Sequence, residues 1–374
     1  MTPQWDPSMH LVFWQNILSP HQSAFLRALA AAGHEVTIIT VESMTDDRRT
    51  LGWQVPDMGL CKVIVAPSVE QTRHLVNASP PETVHIMAGA RWTPLGNLAT
   101  KLCLQGKRRI GVLTEAPDPR GMAGYGRRLK YVLERFSRGR RYDFIFAMGE
   151  LGVAWFQNCG YSASRVFPFA YVAERIVLDF VQEQSVKPVF LFAGRFVELK
   201  GLDILLQAFA DVMPCNASLR LLGDGPMKNQ LEQLVKELGL QQRVQWLPQC
   251  PASEVQKEMS NADVTILPSH KDGWGAVVNE SLMVGTPVIC STACGAADLI
   301  RQPWLGSVFR AGAVEELARC LKYWVDLGRR SSAERERIRQ WSACIQGEAV
   351  AHYFTSVMTH IYENGPRIEA PWRL

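Results

Sequence analysis

The chain has 374 residues, of which 47% are hydrophobic and 20% are charged, a composition typical of globular proteins with a large core and about two domains. It excludes a disordered chain, a collagen-like fibre and a small disulfide scaffold, and no apolar run is long enough to span a membrane. The formal net charge of +4 conceals a basic segment, residues 101–141, which contains 12 basic and 3 acidic residues.

The cysteines and the N-terminus indicate the compartment. Nine cysteines are scattered along the chain without a CxxC pair, and the first residues lack the basic and apolar regions of a secretory signal. We therefore expect reduced thiols in a cytoplasmic protein and no zinc site.

The first half begins with a strand–helix–strand unit. Leu11–Trp14 is an apolar strand, and Ser19 and Pro20 suit the cap and first position of a helix that ends at Gly33. The β-branched segment 35–41 is the second strand. Such a unit predicts a right-handed crossover on a parallel sheet.

Strands and helices also alternate in the second half. The predicted strands are 188–193, 218–222, 243–247, 264–267 and 287–290, with helices that include 201–212 and 228–238. This alternation on both sides of about residue 180 predicts an α/β fold with two doubly wound domains. We expect domains at 1–170 and 188–345, a linker at 171–187, and a C-terminal helix at about 348–362 that completes the first domain.

Two loops that follow predicted strands carry glycine and charge. After the strand 188–193, Gly194 permits a tight turn, and Arg195 and Lys200 could bind a diphosphate, although solvated surface cations explain them as well. Residues 223–225, Gly-Asp-Gly, suit either an ordinary turn or a backbone that approaches a phosphate or sugar.

The segment 267–288 contains the most informative loop. Gly273 and Gly275 allow close backbone approach, and the helix that begins near Gly275 offers unpaired amides to an anion. Asp272 lies in the loop and Glu280 lies in the early helix, where a carboxylate can accept both hydroxyls of a ribose. The alternative is a loop aspartate and an ordinary glutamate on the helix surface.

Three segments in this half resemble a known family. AGRFVELKG, LLGDGP and LPSHKDGWGAVVNESLMVGTPVICS, within about residues 188–300, are similar in order and spacing to retaining GT-B glycosyltransferases, specifically glycosyltransferase family 4. The family hallmark is two acidic residues separated by seven others, here Asp272 and Glu280. The resemblance implies two Rossmann-like domains that face a central cleft, with the acceptor bound by the first domain and a nucleotide-sugar by the second.

The resemblance also implies a donor site. Its donor-binding residues would be Gly194, Arg195, Lys200, Gly223, Asp224, Gly225, Ser269, Asp272, Gly273, Trp274, Gly275, Ala276, Asn279 and Glu280. Arg195 and Lys200 would neutralise the diphosphate, Glu280 would hold the ribose, and Asp272 would contact the sugar hydroxyls. Because these cations can stabilise the leaving group and the chain has no DxD triplet, we expect no obligatory metal or other cofactor.

The chain departs from the family pattern at three places, of which the first is the glycine-rich loop after the first strand, replaced here by residues 15–21. The first acidic residue is usually glutamate and here is Asp272, and the histidine that often follows a later strand of the first domain is replaced by a segment with Glu115 and Asp118. The catalytic candidates are therefore Asp272, Glu115, Arg195 and Lys200, with either carboxylate available to assist the reaction. The acceptor-side candidates are His21, Glu115 and Asp118, although His21 also suits a helix start bonded to nearby backbone.

The basic segment 101–141 admits two interpretations. Its arginines and lysines flank Leu129, Val132, Leu133 and Phe136, which recur at helical spacing. This pattern is common in a helix that packs on a core and solvates its polar face. It also suits attachment to an anionic membrane surface, which we favour, whereas no motif indicates nucleic-acid binding.

The leading hypothesis is a retaining, metal-independent glycosyltransferase at the inner face of the cell membrane. It would transfer a sugar from a UDP- or GDP-linked donor to a glycan or lipid-linked acceptor in cell-surface polysaccharide biosynthesis. A catalytically silent nucleotide-sugar-binding subunit and a GT-B sugar-nucleotide epimerase are the alternatives. The sugar, the acceptor and the linkage are left open.

Overall fold

A computed structural model describes residues 8–50, 52–89, 93–174, 187–212 and 217–374. The chain divides into two compact units, Met1–Glu174 with Ile345–Leu374, and Arg175–Cys344. Most of the predicted linker, residues 175–186, lies outside the described residues.

The first unit is a seven-stranded parallel sheet with helices between its strands. Its strands are β1 (His10–Gln15), β2 (Glu35–Thr40), β3 (Lys62–Val65), β4 (Val84–Ala88), β5 (Arg109–Thr114), β6 (Phe144–Met148) and β7 (Val166–Phe169). Its helices are α1 (Pro20–Ala31), α2 (Asp46–Thr50), α3 (Val69–Asn77), α4 (Pro94–Gln105), α5 (Gly121–Ser137), α6 (Gly149–Asn158) and the C-terminal α13 (Gly347–Tyr362). The strand order is β3-β2-β1-β4-β5-β6-β7.

The second unit is a six-stranded parallel sheet. Its strands are β8 (Val189–Ala193), β9 (Ser218–Leu222), β10 (Val244–Leu247), β11 (Val264–Leu267), β12 (Val288–Ser291) and β13 (Gly306–Phe309). Its helices are α7 (Leu202–Asp211), α8 (Lys228–Glu237), α9 (Ala252–Asn261), α10 (Ala276–Met283), α11 (Val314–Asp326) and α12 (Ser332–Trp341). The strand order β10-β9-β8-β11-β12-β13 reverses direction between β8 and β11, where ligands of open α/β sheets bind.

Helix α1 begins at the residue that the sequence predicts and ends just before Gly33. The Ser19 hydroxyl accepts a hydrogen bond from the backbone amide of His21, Pro20 is the first helical residue, and Gly33 follows the helix with a φ of +93°. These features bring the chain from β1 into β2 within one crossover, so the predicted parallel pair is confirmed.

The C-terminal helix packs within the first unit. The Phe354 ring on α13 stacks on the Phe146 ring of β6, with centroids 5.2 Å apart. Gly347, which opens α13, lies so close to α1 that a Cβ there would be 2.6 Å from the carbonyl oxygen of Ala24. The last helix therefore supplies part of the core that covers the first sheet.

Helix α5 contradicts the interpretation that the apolar residues of the basic segment pack on a core. Leu129, Leu133 and Phe136 recur at helical spacing but are exposed, at 60%, 61% and 55% of their full surface. The interpretation in which these three side chains pack on a core is therefore wrong, and only Val132 of the predicted set packs against the first unit's core. Periodicity identifies an apolar stripe, but it does not determine which side of a helix faces the sheet.

None of the described helices, in either unit, is long and apolar enough to cross a membrane.

Candidate functional site

The loops after β8 and β11 meet at the reversal point of the second sheet. Backbone contact joins them: the His270 amide donates to the Leu199 carbonyl at 2.9 Å. Gly201 has a φ of +64°, and a Cβ there would lie 2.4 Å from the carbonyl oxygen of Pro268. The glycine therefore allows the two loops to touch, which brings Lys200 beside the acidic loop.

The two glycines of the Gly-Asp-Gly segment allow the loop after β9 to pack closely against the loop after β8. A Cβ on Gly223 would lie 2.0 Å from the Gly194 carbonyl oxygen, and one on Gly225 would lie 2.5 Å from the Phe196 carbonyl oxygen. The Phe196 amide donates to the Asp224 carbonyl at 2.8 Å. The loops after β8 and β9 are thus packed backbone to backbone, which explains both glycines.

An ion pair joins Lys200, which is predicted to bind the diphosphate, and Asp272, which is predicted to contact the sugar. The Lys200 ammonium lies 2.5 Å from the Asp272 carboxylate, and both side chains are largely buried. The Asp272 amide donates to the Ala293 carbonyl at 3.1 Å, which fixes its loop against the segment after β12. The Arg195 side chain, by contrast, is exposed and makes no hydrogen bond or ion pair with any other described residue.

The start of α10 is held by side chains that the resemblance assigned to the donor. Gly275 adopts a φ of +94°, and the helix begins at Ala276. Trp274 is buried, and its indole nitrogen donates to the Asn279 side-chain oxygen at 2.7 Å. The Trp274 carbonyl accepts from the Ala296 amide. Trp274 and Asn279 therefore brace the first turn of the helix, so their side chains have a structural role.

Glu280 and Ser269, two predicted donor-binding residues, are polar groups in partly or fully buried positions. Burial raises the pKa of the Glu280 carboxyl to about 7, because the charged form loses hydration there. The Ser269 hydroxyl is buried and has no hydrogen-bond partner among the described residues. Ser269 lies in the loop after β11, and Glu280 lies in α10, which follows that loop. Both are groups with which a hydroxylated ligand could form hydrogen bonds.

The acceptor-side candidates of the first unit divide into two groups. Asp118 forms an ion pair with Arg120 at 2.9 Å and accepts from the Arg120 amide at 3.0 Å, so it stabilises the turn before α5. The Glu115 carboxylate accepts from the Tyr171 hydroxyl at 2.8 Å. The His21 ring lies 5.9 Å from the Tyr171 ring, so Tyr171 connects two candidates.

A family model matches most of the second unit. Residues 178–341 match the family model described as glycosyl transferases group 1. The chain is also similar to the 2-deoxystreptamine glucosyltransferase of Streptomyces kanamyceticus, at 31% identity over 188 residues. That match covers 48% of this chain and 49% of the relative, so the similarity spans about half of the relative's own length.

Solved structures resemble the chain over nearly its full length. The Anabaena protein HepE, in a complex with UDP, has a TM-score of 0.70 at 14% identity and covers 94% of this chain and 100% of its own. The apo form of the lipopolysaccharide outer core galactosyltransferase WaaB has a TM-score of 0.67 at 16% identity, with 94% and 99% covered. The chain thus has the GT-B fold, and its residues 178–341 match the model of the glycosyl transferases group 1 family.

Proposed function

We propose that this chain is a retaining, metal-independent glycosyltransferase. It takes a sugar from a UDP- or GDP-linked donor and transfers it to a glycan or lipid-linked acceptor in cell-surface polysaccharide biosynthesis. The ion pair between Lys200 and Asp272 carries this proposal, because it brings a cation and a carboxylate together at the ligand-binding edge of the second sheet. The UDP in the HepE complex and the activity named for WaaB are consistent with it.

Each charged group has a role in the proposed reaction. Lys200 leaves its contact with Asp272 for the donor diphosphate, and exposed Arg195 adds a second cation. Glu280 accepts hydrogen bonds from the ribose hydroxyls, and Asp272 turns to the sugar hydroxyls. The cations stabilise charge that develops on the leaving diphosphate, the task for which other transferases use a metal.

Retention follows from attack on the face that the diphosphate leaves. The bond between the anomeric carbon and the phosphate oxygen breaks, a bond to the acceptor oxygen forms on the same face, and the acceptor proton passes to the departing phosphate. Either Asp272 or Glu115 stabilises the oxocarbenium-like state. Glu115 is half-buried and held by Tyr171, so it has a defined orientation for that role.

Purified protein tests this function with a panel of donors. UDP and GDP are measured by thermal shift, and UDP-glucose, UDP-galactose, UDP-N-acetylglucosamine and GDP-mannose are measured by hydrolysis and transfer. We expect one nucleotide to stabilise the fold and its sugar to be turned over. Lys200→Met should weaken nucleotide binding, whereas Lys322→Met, which breaks the exposed Lys322–Asp326 pair, should not. If neither nucleotide binds, the proposed function fails.

The same assay separates the two alternatives. A catalytically silent subunit binds a donor but neither hydrolyses nor transfers it. A sugar-nucleotide epimerase converts the donor without any acceptor, which analysis of the sugar after incubation with donor alone detects. Retained configuration requires an NMR assignment of the anomeric proton in the product.

We also propose that helix α5 attaches the protein to the inner face of the cytoplasmic membrane. Met122, Tyr125, Leu129, Leu133 and Phe136 are all exposed and fall at spacings of three and four residues. They therefore form one apolar stripe along the helix. A solvent-facing stripe of this length suits insertion at the boundary between lipid headgroups and acyl chains.

The charges around the stripe support an anionic bilayer as its partner. Arg128 and Lys130 are exposed and lie on either side of the stripe, and Arg140 is exposed just after the helix. Glu134 is the acidic residue of α5, and it is buried at 3% exposure. The exposed surface of α5 is therefore apolar at its centre and basic at its margins, and each cation near such a surface contributes about 1 kcal/mol.

A further inference from the structure

Three aromatic rings form a continuous wall in the first unit. The His21 ring meets the Trp53 indole edge-on with centroids 4.9 Å apart, and it also lies 5.9 Å from the Tyr171 ring. The Arg48 guanidinium lies 4.4 Å from the indole centroid. The Tyr171 hydroxyl extends the wall to Glu115, to which it donates at 2.8 Å. This group is called the aromatic wall below.

The aromatic wall is assembled from segments far apart in sequence. His21 lies in the first turn of α1, which follows β1, and Trp53 lies just after α2, which follows β2. Glu115 directly follows β5, and Tyr171 comes two residues after β7. All four therefore gather at the carboxyl edge of the first sheet, the edge at which open α/β sheets bind ligands.

Burial distinguishes this wall from an ordinary core cluster. Trp53, His21, Tyr171 and Glu115 are each only partly buried, whereas rings such as Phe146 in the same unit are fully buried. Large rings that remain partly exposed beside a carboxylate offer an apolar surface and a hydrogen-bond acceptor to one ligand. A sugar ring matches both, because it has an apolar face of C–H groups and a rim of hydroxyls.

We infer that, given the proposed function, the aromatic wall is the subsite for a pyranose ring at the reacting end of the acceptor. The rings of Trp53 and Tyr171 pack against the C–H face of the pyranose, and the Glu115 carboxylate accepts a hydrogen bond from one of its hydroxyls. Tyr171 is a positioning residue, since its hydroxyl holds Glu115 through the 2.8 Å bond. The acceptor therefore presents a sugar, rather than a lipid phosphate, to the donor.

Charge supports a neutral sugar over a phosphate. Glu115 would repel an anionic headgroup at this position, and Arg48 is already stacked on Trp53. A nucleoside base could also stack on a ring wall, so the test includes one as a competing ligand.

Saturation-transfer NMR on the full-length protein tests the subsite. The probes are methyl α-glucopyranoside, methyl α-galactopyranoside and methyl α-mannopyranoside, each with and without saturating UDP and GDP, and uridine alone. We expect saturation of ring protons that persists when the nucleotide is present. Trp53→Ala should weaken pyranoside binding roughly fivefold to tenfold, the size of one lost ring contact. Tyr171→Phe, which keeps the ring and removes the bond to Glu115, should cost less.

A tryptophan in the second unit provides the matched control. Trp304 is also partly buried, with the Arg337 guanidinium 4.2 Å from its centroid, so Trp304→Ala removes a comparable stacked ring. It should leave the pyranoside signal unchanged. Because Trp53→Ala could lower stability, Trp53→Leu serves as a second variant, and each is checked by thermal melting.

Two results would overturn the subsite: no pyranoside signal in the wild-type protein, or equal signals in the wild-type and Trp53 variants. Uridine signals that depend on Trp53 would instead make the wall a base-stacking site. The wild-type protein could bind neither UDP nor GDP and still give a pyranoside signal that depends on Trp53. That result would contradict the proposed function and support the sugar subsite.

Discussion

The Lys200 ammonium and the Asp272 carboxylate lie 2.5 Å apart, although 71 residues separate them in the sequence. Gly201 makes this approach possible, since any side chain at that position would collide with the Pro268 carbonyl. In the proposed function, Lys200 binds the donor diphosphate and Asp272 contacts the sugar hydroxyls. The two members of the pair should therefore respond differently to substitution.

Asp272→Asn should mainly lower turnover. The amide cannot stabilise positive charge at the anomeric centre, and the loss should be about a hundredfold or more. Nucleotide affinity should be retained or rise, since Lys200 is then released for the diphosphate. Calorimetry with UDP or GDP, followed by transfer assays, measures the two effects. A large loss of nucleotide affinity in Asp272→Asn, equal to that in Lys200→Met, would contradict the division of roles.

Donor affinity should rise as the pH increases through about 7. The pKa of the Glu280 carboxyl is raised to about 7 by burial. In the proposed function its ionised form accepts hydrogen bonds from both ribose hydroxyls. A nucleotide-sugar is the right probe because its diphosphate does not titrate in this range. Glu280→Gln should bind weakly at every pH, with a flat profile. An unchanged profile in Glu280→Gln would assign the dependence to another group.

The free energy of unfolding should decrease with increasing pH, opposite to the donor affinity. The folded state holds the Glu280 proton more tightly than the unfolded chain, whose carboxyl has the ordinary pKa of 4.5. Stability therefore falls as the pH rises from about 4.5 to 7 and changes no further above that. Thermal melts of the wild-type protein and Glu280→Gln should diverge over this interval, with the variant the more stable above pH 7. Parallel melting curves would show that the carboxyl is hydrated in the folded state.

Gly223→Ala should destabilise the second unit far more than Gly239→Ala. Both glycines have positive φ angles, but a Cβ on Gly223 would lie 2.0 Å from the Gly194 carbonyl, whereas one on Gly239 meets nothing within 4 Å. We expect a cost of about 3 kcal/mol or more at Gly223, where backbone must move, and about 1 kcal/mol at Gly239. Chemical denaturation measures both. Similar costs would mean that the loops after β8 and β9 are not tightly packed.

Vesicle binding should depend on the exposed stripe of α5 more than on its flanking cations. Flotation with vesicles of phosphatidylcholine and phosphatidylglycerol at 7:3 measures binding. Leu129→Glu with Leu133→Glu should reduce binding at least tenfold, and Arg128→Glu with Lys130→Glu should weaken it chiefly at low salt. Leu151→Glu, at an exposed leucine of α6, is the matched control.

Two outcomes would count against membrane attachment by α5. Wild-type levels of binding in the double leucine variant would show that the stripe does not insert. Concentration-dependent dimerisation that the same variant abolishes would assign the stripe to a second copy of the chain.

Transfer activity should survive removal of divalent cations. Arg195 and Lys200 are expected to stabilise the leaving diphosphate, so EDTA should change the rate by less than twofold. The measurement compares EDTA-treated enzyme with enzyme supplied with Mg²⁺ or Mn²⁺. An activity that disappears with EDTA and returns with either ion would replace the cations with a metal in this role.

The amino-acid sequence by itself determined the alternating α/β pattern, the bounds of most strands and the loops of the second sheet. These features are local: strand residues are β-branched and apolar, Ser19 and Pro20 open α1, and glycines mark turns. The three ordered motifs also predicted a GT-B glycosyltransferase, consistent with the match of residues 178–341 to the glycosyl transferases group 1 model.

Only the tertiary structure decided which groups meet. Helical periodicity revealed the apolar stripe of α5, but which side packs depends on the sheet beneath it, so Leu129 and Leu133 face outward. Trp274 and Asn279 were predicted to contact the donor, yet their side chains bond to each other, because folding around Gly275 brings them together. Tyr171, which follows β7, reaches Glu115, which follows β5, across the one strand that separates them, β6. Such contacts depend on strand order and loop packing, which no local pattern encodes.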